Sequence, residues 1–475
     1  MIIQKFGGTS VGGSEPIRRL GEIVKRALPR RPVVVVSAVG GVTNKLFKMS
    51  ELALARGDWE REFAALSTLH ENILRELALE TAIVDGLLEE LHGLLRGIEL
   101  IRECTPRTMD YLASFGERMS ARMVAAHLQS IGVDARALDA WDAGLVTDSR
   151  FGGARPLAES EAKIRAALGA LESGWSSHGT AGAPSDSHGG AAASGSHGAA
   201  ATPAAARVPV ITGYIGKDSA GNITTLGRGG SDFSAAIFGA ALAAEEIEIW
   251  TDVDGVMTAD PRIVKSARFI HTLSFAEAAE LAFFGAKVLH PATMVPAVQK
   301  NIPIRVKNSF RPEFEGTTVV SRLAEDKRGV KSITSKDKIA VVNIVAAPML
   351  MQYGFLERVA DVFARHEIVI DMIATSEVSL AMTTDAGARL EPVTAELAKF
   401  AEVSVVRDMA LVSVVGEELK DRVDFSAIVF GALSELGVKV EMISYGATRN
   451  NLSFVVNASR VREIVSALHE RLFGS

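Results

Sequence analysis

The last part of this chain repeats itself. Lys338-Ile339-Ala340-Val341-Val342-Asn343-Ile344 matches Asp408-Met409-Ala410-Leu411-Val412-Ser413-Val414, and Asp371-Met372-Ile373 matches Glu441-Met442-Ile443, both at an offset of 70 residues. One offset shared by several elements marks a duplicated supersecondary unit. Each copy reads as strand, loop, amphipathic helix (Leu356 to His366; Ser426 to Leu436), strand, turn, strand. A single βαββ unit leaves one face of its sheet open, and two copies side by side bury more of it. The expectation is two small domains over 321–400 and 401–475, behind a larger domain over 1–320.

In the larger region, Val33-Val34-Val35-Val36 is a continuous β-branched run, the pattern of a strand buried on both faces of a helix-covered parallel sheet. Helical patterns follow over Leu46–Arg56, Glu60–Leu79, Ile83–Ile101 and, with Glu117, Met119–Ile131. Strand–loop–helix alternation returns at Val208–Ile215, with a helix from Ser234 and a strand at Glu248-Ile249-Trp250. Such alternation predicts an α/β domain. Between these stretches, 174–207 is built of Ala, Gly, Ser and Pro, with Ser-His-Gly at 177–179, 187–189 and 196–198. Its apolar content is too low for a core, and no Cys or carboxylate cluster accompanies its histidines, so it reads as a disordered insertion rather than a metal tract.

A chain of 475 residues, 48% apolar and 23% charged, can bury more than one core. Its formal charge of −6 gives no footprint for nucleic acid or anionic membrane. Cys104 is the single cysteine, which excludes an intrachain disulfide and fits a reducing compartment. No apolar stretch approaches the ~18 residues of a membrane span, and Met1–Phe6 lacks the layout of a signal peptide. A cytoplasmic protein is expected, with no further domain after the repeat.

Two glycine-rich loops carry the chemistry. Lys5-Phe6-Gly7-Gly8-Thr9-Ser10-Val11-Gly12 joins a strand to a helix. Its glycines let backbone N–H groups approach phosphate oxygens, and Lys5 can add a point charge. The loop lacks the Gly-Lys-Ser/Thr ending of a Walker A motif. Thr225-Leu226-Gly227-Arg228-Gly229-Gly230-Ser231-Asp232 also leads into a helix. Two helix N-termini directed at one place suit phosphoryl transfer, and Arg228, flanked by glycine, can grip a carboxylate with two parallel hydrogen bonds. Asp232 could orient lysines or hold Mg2+, or could simply complement the helix dipole.

Taken together, six segments resemble the aspartate kinases of the amino-acid kinase superfamily: Lys5 to Val11, Val36-Ser37-Ala38 with Thr43-Asn44, Phe115-Gly116-Glu117, Thr225 to Asp232, Trp250-Thr251-Asp252-Val253, and Phe284 to Pro291. The repeat resembles the paired ACT domains of these enzymes, and only 174–207 falls outside the likeness. The resemblance implies an α/β/α sandwich with a mainly parallel central sheet, followed by two ACT-type βαββ regulatory domains. It implies transfer of the γ-phosphoryl group of ATP to the β-carboxylate of L-aspartate with Mg2+. Lys5 and Asp232 would be catalytic. Lys5, Phe6, Gly7, Gly8, Thr251, Asp252, Met257, Arg262, Lys287 and Val288 would hold the nucleotide, with Met257 standing where some relatives place an aromatic. Thr43, Glu117, Arg228, Gly229 and Ser231 would bind aspartate, Glu117 taking the α-ammonium and Arg228 the α-carboxylate. Met349, Phe355, Leu356, Asp371, Ser376 and Glu377 resemble the effector site of lysine-inhibited members. Homodimers through the ACT domains, and a dimer of dimers, are the implied assemblies.

Two other readings are open at this stage. One is a kinase for a different acceptor, which would have no use for an ammonium–carboxylate clamp. The other is an amino-acid sensor without turnover, which the intact Lys5, Arg228, Asp232 and Lys287 oppose.

Overall fold

The structure is a computed structural model that describes residues 1–172, 208–283, 291–324, 329–346, 353–387, 389–446 and 448–474. The expected disordered insertion at 174–207, Lys287, Val288 and Met349 lie outside these residues. The chain divides into two compact units, Met1–Asp254 with Ala292–Glu315, and Gly255–Pro291 with Gly316–Ser475.

The first unit runs β1 (Ile2–Phe6), α1 (Ser14–Ala27), β2 (Pro32–Val36), α2 (Val42–Leu54), α3 (Trp59–Glu76), α4 (Ala82–Ile101), α5 (Pro106–Ser130), β3 (Ala135–Leu138), β4 (Val146–Thr147), α6 (Glu159–Glu172), β5 (Val208–Thr212), β6 (Ile215–Asp218), β7 (Ile223–Thr225), α7 (Gly230–Ala241) and β8 (Glu246–Thr251). After β9 (Thr272–Ser274) and α8 (Phe275–Phe283), which belong to the second unit, α9 (Pro291–Gln299) and β10 (Ile304–Asn308) complete the succession. Six strands lie in the order β3-β5-β2-β1-β8-β10, every neighbouring pair parallel. Every residue of β1 and β2 is buried, as the unbroken apolar run of β2 predicts for a strand covered on both faces, while β1 buries Gln4 and Lys5 as well. One core joins this sheet to α1–α5 through Ile17, Leu20, Leu46, Leu91, Phe115 and Met119, and Phe6 stacks on Trp250 at 5.9 Å.

Three boundaries differ from the sequence reading. Helix α5 begins at Pro106, well before the expected start near Glu117, because Thr105 accepts the Thr108 N–H at 3.2 Å and proline fills the first helical position. Helix α7 begins at Gly230 rather than Ser234, so Ser231 and Asp232 stand in its first turn. The expected strand Val208–Ile215 is interrupted at Tyr214, whose φ of 66° turns the chain into the small sheet β4-β6-β7.

The second unit contains β11 (Thr317–Val320), parallel to β9, and then the two repeats. The first repeat is β12 (Gly329–Val345), α10 (Phe355–Arg365), β13 (Met372–Thr375), β14 (Ser379–Asp385) and α11 (Leu390–Leu397). The second is β15 (Glu402–Glu417), α12 (Phe425–Glu435), β16 (Met442–Tyr445), β17 (Asn451–Asn457) and α13 (Val461–Phe473). The copies share one antiparallel sheet, β13-β14-β12-β15-β17-β16. The duplication reaches the backbone torsions. Lys338 (φ 60°) and Asp408 (φ 57°) kink the two central strands, while Glu367 (φ 56°) and Gly437 (φ 63°) turn the chain after the helices, each pair 70 residues apart. A closing helix in each copy, α11 or α13, was not anticipated.

Residues 255–283 pack within this second unit. Ala259 and Val264 join the core of the second repeat, Ile333 N–H donates to Thr258 O at 2.8 Å, and Thr258 Oγ1 meets His469 Nε2 at 2.8 Å. Glu280 on α8 accepts from Thr448 Oγ1 at 2.9 Å and from Asn451 Nδ2. No helix among the described residues is long and apolar enough to cross a membrane.

Candidate active site

A cavity of about 510 Å3 opens in the first unit, lined by the loops after β1 and β2, the N-terminal turn of α2, the middle of α5, and the β7–α7 loop. Its polar lining includes Lys5, Thr43, Glu117, Tyr214, Arg228 and Asp232. Each contributor is placed by a local device. Gly7 N–H donates to Trp250 O at 3.0 Å, which fixes the turn after β1. Gly8 faces Ala38 O so closely that a Cβ there would sit 3.1 Å from it. Gly116 lets α5 pass against the loop after β2, because a Cβ would stand 2.7 Å from Ala38 Cβ. That approach carries the neighbouring Glu117 into the cavity.

Lys5 is 8% exposed and its Nζ lies 2.6 Å from Asp232 Oδ1. This ion pair, between a buried lysine and a partly exposed aspartate, brings together the two groups expected to be catalytic. Glu117 is 3% exposed, and one of its carboxylate oxygens has no hydrogen-bond partner. Burial pushes its carboxyl up to about 8, against the opposing pull of the Ala38 and Glu117 backbone N–H groups and the Lys5 charge. A buried acid with an unused oxygen is an acceptor prepared for a cation. Arg228 is exposed between Gly227 (φ 78°) and Gly229 (φ 70°), two left-handed positions that project it from the loop. An acid and an arginine facing one cavity can hold the ammonium and carboxylate of an amino acid, with Lys5 and backbone N–H groups left for phosphate.

The other expected residues are distributed as follows. Thr43, Gly229 and Ser231 line the cavity. The Phe6 side chain is fully buried in the core against Trp250, so any role in nucleotide binding falls to its backbone. Thr251 and Asp252 lie at the end of β8, with Thr251 Oγ1 donating to Asp252 at 3.2 Å. Met257 and Arg262 belong to the second unit, where Met257 bridges to Phe269 and Arg262 grips Asp260 at 2.7 Å. Tyr214 was missed. It lines the cavity from a left-handed turn, and burial raises its phenol.

In the first repeat, Phe355 is buried at the start of α10 and Leu356 is half exposed. Asp371, its side chain 7% exposed, is held by Lys336 Nζ at 2.5 Å, which also reaches Asp385 at 3.3 Å. Ser376 Oγ meets Ser379 Oγ at 2.6 Å, and Glu377 is exposed in the same turn. Lys336, the cation that meets Asp371, had no signal in the sequence pattern.

Comparisons with known proteins bear on the family and the fold. The amino acid kinase family model matches residues 1–308, and an ACT domain model matches 412–472. The chain is 38% identical to aspartokinase 2, chloroplastic, of Arabidopsis thaliana over 99% of this chain and 84% of that protein. It is 35% identical to the lysine-sensitive aspartokinase 3 of Escherichia coli K12, over 100% of this chain and 99% of that one. The crystal structure of E. coli aspartokinase III with aspartate and ADP superposes with a TM-score of 0.79 at 33% identity, covering all of both chains. Its complex with lysine and aspartate gives the same TM-score, covering 100% of this chain and 99% of that one.

Proposed function

The chain belongs to the aspartokinases of the amino acid kinase family, and from that premise we propose how its residues divide the work. It is an aspartate kinase, passing the γ-phosphoryl group of ATP to the β-carboxylate of L-aspartate to give ADP and 4-phospho-L-aspartate. An oxygen of the β-carboxylate attacks the γ-phosphorus as the bond to the bridging oxygen of ADP breaks. The acceptor is already an anion, so no general base is required. Catalysis then rests on position and charge.

Glu117 takes the substrate ammonium and Arg228 its α-carboxylate, with Thr43, Gly229 and Ser231 completing the pocket. Lys5 stabilises the transferring group, and Asp232 holds Lys5 in place until phosphate oxygens draw its ammonium across. Gly8 supplies a backbone N–H group, and Gly7, whose own N–H is donated to Trp250 O, holds the turn that presents it. Phe6, Thr251, Asp252, Met257, Arg262, Lys287 and Val288 are assigned to the nucleotide. Mg2+ commonly takes one or two carboxylates together with substrate phosphates, so Asp232, the carboxylate beside Lys5, fits as its protein ligand. When bound, the ion neutralises charge on the phosphate oxygens.

Lysine is the feedback inhibitor in this reading. Asp371, Ser376 and Glu377 with Met349, Phe355 and Leu356 receive it, and the buried Asp371 carboxylate already holding an ammonium group supports that choice. Two copies pair through their repeat domains, an arrangement supported by the exposed Val345, Val369, Ile373 and Ile443, and such dimers pair again. ATP dependence and the single cysteine support a cytoplasmic location.

The observation that carries the substrate assignment is the convergence of Glu117, Lys5, Asp232 and Arg228 on one cavity. Steady-state kinetics of Arg228→Ala test it. The Michaelis constant for aspartate rises at least tenfold while that for ATP changes less than threefold, and Arg228→Lys restores little because it lacks the bidentate fork. An unchanged constant for aspartate would remove Arg228 from the substrate clamp.

A further inference from the structure

We propose that Asp110 is a positioning residue for aspartate binding, a buried carboxylate that sets the Arg228 loop in register with Glu117. The inference rests on the reading of the cavity given above. Asp110 stands in the first turns of α5 and is 3% exposed. Its oxygens accept three donors from two other segments: Gly152 N–H at 2.9 and 3.0 Å, Thr225 N–H at 2.8 Å and Thr225 Oγ1–H at 2.8 Å. A carboxylate only accepts, so it suits three converging donors as an amide or hydroxyl does not. These bonds pull against the burial that raises the Asp110 carboxyl.

What Asp110 holds is the fixed end of the substrate loop. Thr225 ends β7, its carbonyl accepts Ala154 N–H at 2.8 Å, and Arg228 comes three residues later. Gly227 between them packs so closely on the 152–153 turn that a Cβ would meet Gly152 O at 3.1 Å. Gly152 and Gly227 both line the cavity, while Asp110 does not. Asp110 therefore ties two walls of the cavity to α5 from behind. Glu117 lies seven residues further along that helix, two turns or about 10.5 Å of rise, on the same face. One rigid helix thus carries the acid that meets the substrate ammonium and the acid that fixes the arm reaching its carboxylate. The distance between the two ends of the clamp is set by α5.

The test measures binding of L-aspartate and, separately, of ADP to the full chain by calorimetry. Asp110→Ala raises the Kd for aspartate at least tenfold and leaves that for ADP within twofold. Asp110→Asn falls between Ala and the parent, because its amide oxygen still accepts the two backbone N–H groups while the Thr225 hydroxyl rotates to accept from Nδ2. Thr225→Val removes one of the bonds without touching α5 and raises the aspartate Kd about threefold, so the link stays testable if Asp110→Ala fails to fold. A parallel rise in both constants across the series would reduce Asp110 to general support of the fold, and an unchanged aspartate constant would overturn the link outright. Glu117→Gln and Arg228→Ala separate the two levels. If they leave aspartate binding intact, the reading of the cavity fails. If they abolish it while the Asp110 and Thr225 series is flat, only the positioning role fails.

Discussion

Glu117 should release a proton when aspartate binds. In the free cavity its carboxyl is pushed up to about 8 by burial, and the ammonium of the substrate requires it ionised. At pH 7 a group with that value is about nine-tenths protonated, so binding releases close to one proton. Ionising it costs about 1.4 kcal/mol at pH 7, a tenfold penalty on affinity, and about 2.7 kcal/mol at pH 6. The apparent Kd for aspartate therefore falls about fifty-fold between pH 6 and pH 8. Calorimetry at pH 7 in buffers of different ionisation enthalpy reads the released proton directly. Glu117→Gln abolishes the release, flattens the pH dependence and weakens binding. The same shift has a signature in stability. A carboxyl raised in the folded state stabilises it below the unfolded value of about 4.5, and that contribution is lost as pH rises through about 8. The Gln variant consequently gains on the parent across that window in thermal melts. Proton release that survives in Glu117→Gln, or none in the parent, would refute the reasoning.

Three further outcomes follow from the packing. Gly116→Ala drives a Cβ to 2.7 Å from Ala38 and destabilises by about 1–3 kcal/mol, whereas Gly93→Ala, in open space on the exposed face of α4, stabilises by about 0.5–1 kcal/mol; denaturant unfolding shows the opposite signs. Asp371→Ala raises the lysine concentration needed for half-inhibition at least tenfold and leaves the uninhibited turnover unchanged; equal sensitivity would move the effector elsewhere. Deleting 176–201 leaves kcat within twofold, and a large loss would make that segment part of the active site.

The parts of this molecule legible in the sequence are those written in local pattern. The duplication was visible as a 70-residue offset, and it extends to kinks at Lys338 and Asp408. The glycine loops announced the cavity because left-handed and close-approach positions restrict residue choice. The start of α5 was less legible, since Asp110 to Gly116 mixes polar, small and aromatic residues without a clean apolar stripe. Thr105-Pro106 was the available signal, a cap followed by proline at the first helical position. Missing that start concealed Asp110. Tyr214 and Lys336 act through partners far off in sequence or across strands, which no spacing rule reports. The packing of 255–283 with the repeats depends on contacts such as Thr258 with His469, about 200 residues apart, and only the folded chain displays them.

The central claim, that this cavity phosphorylates aspartate under the control of lysine, is tested most directly by trapping the acyl phosphate. Purified protein with ATP, Mg2+ and L-aspartate should form aspartyl hydroxamate in the presence of hydroxylamine, and lysine should suppress it. Turnover indifferent to lysine would contradict the regulatory half of the account, and absence of hydroxamate from aspartate would contradict the whole of it.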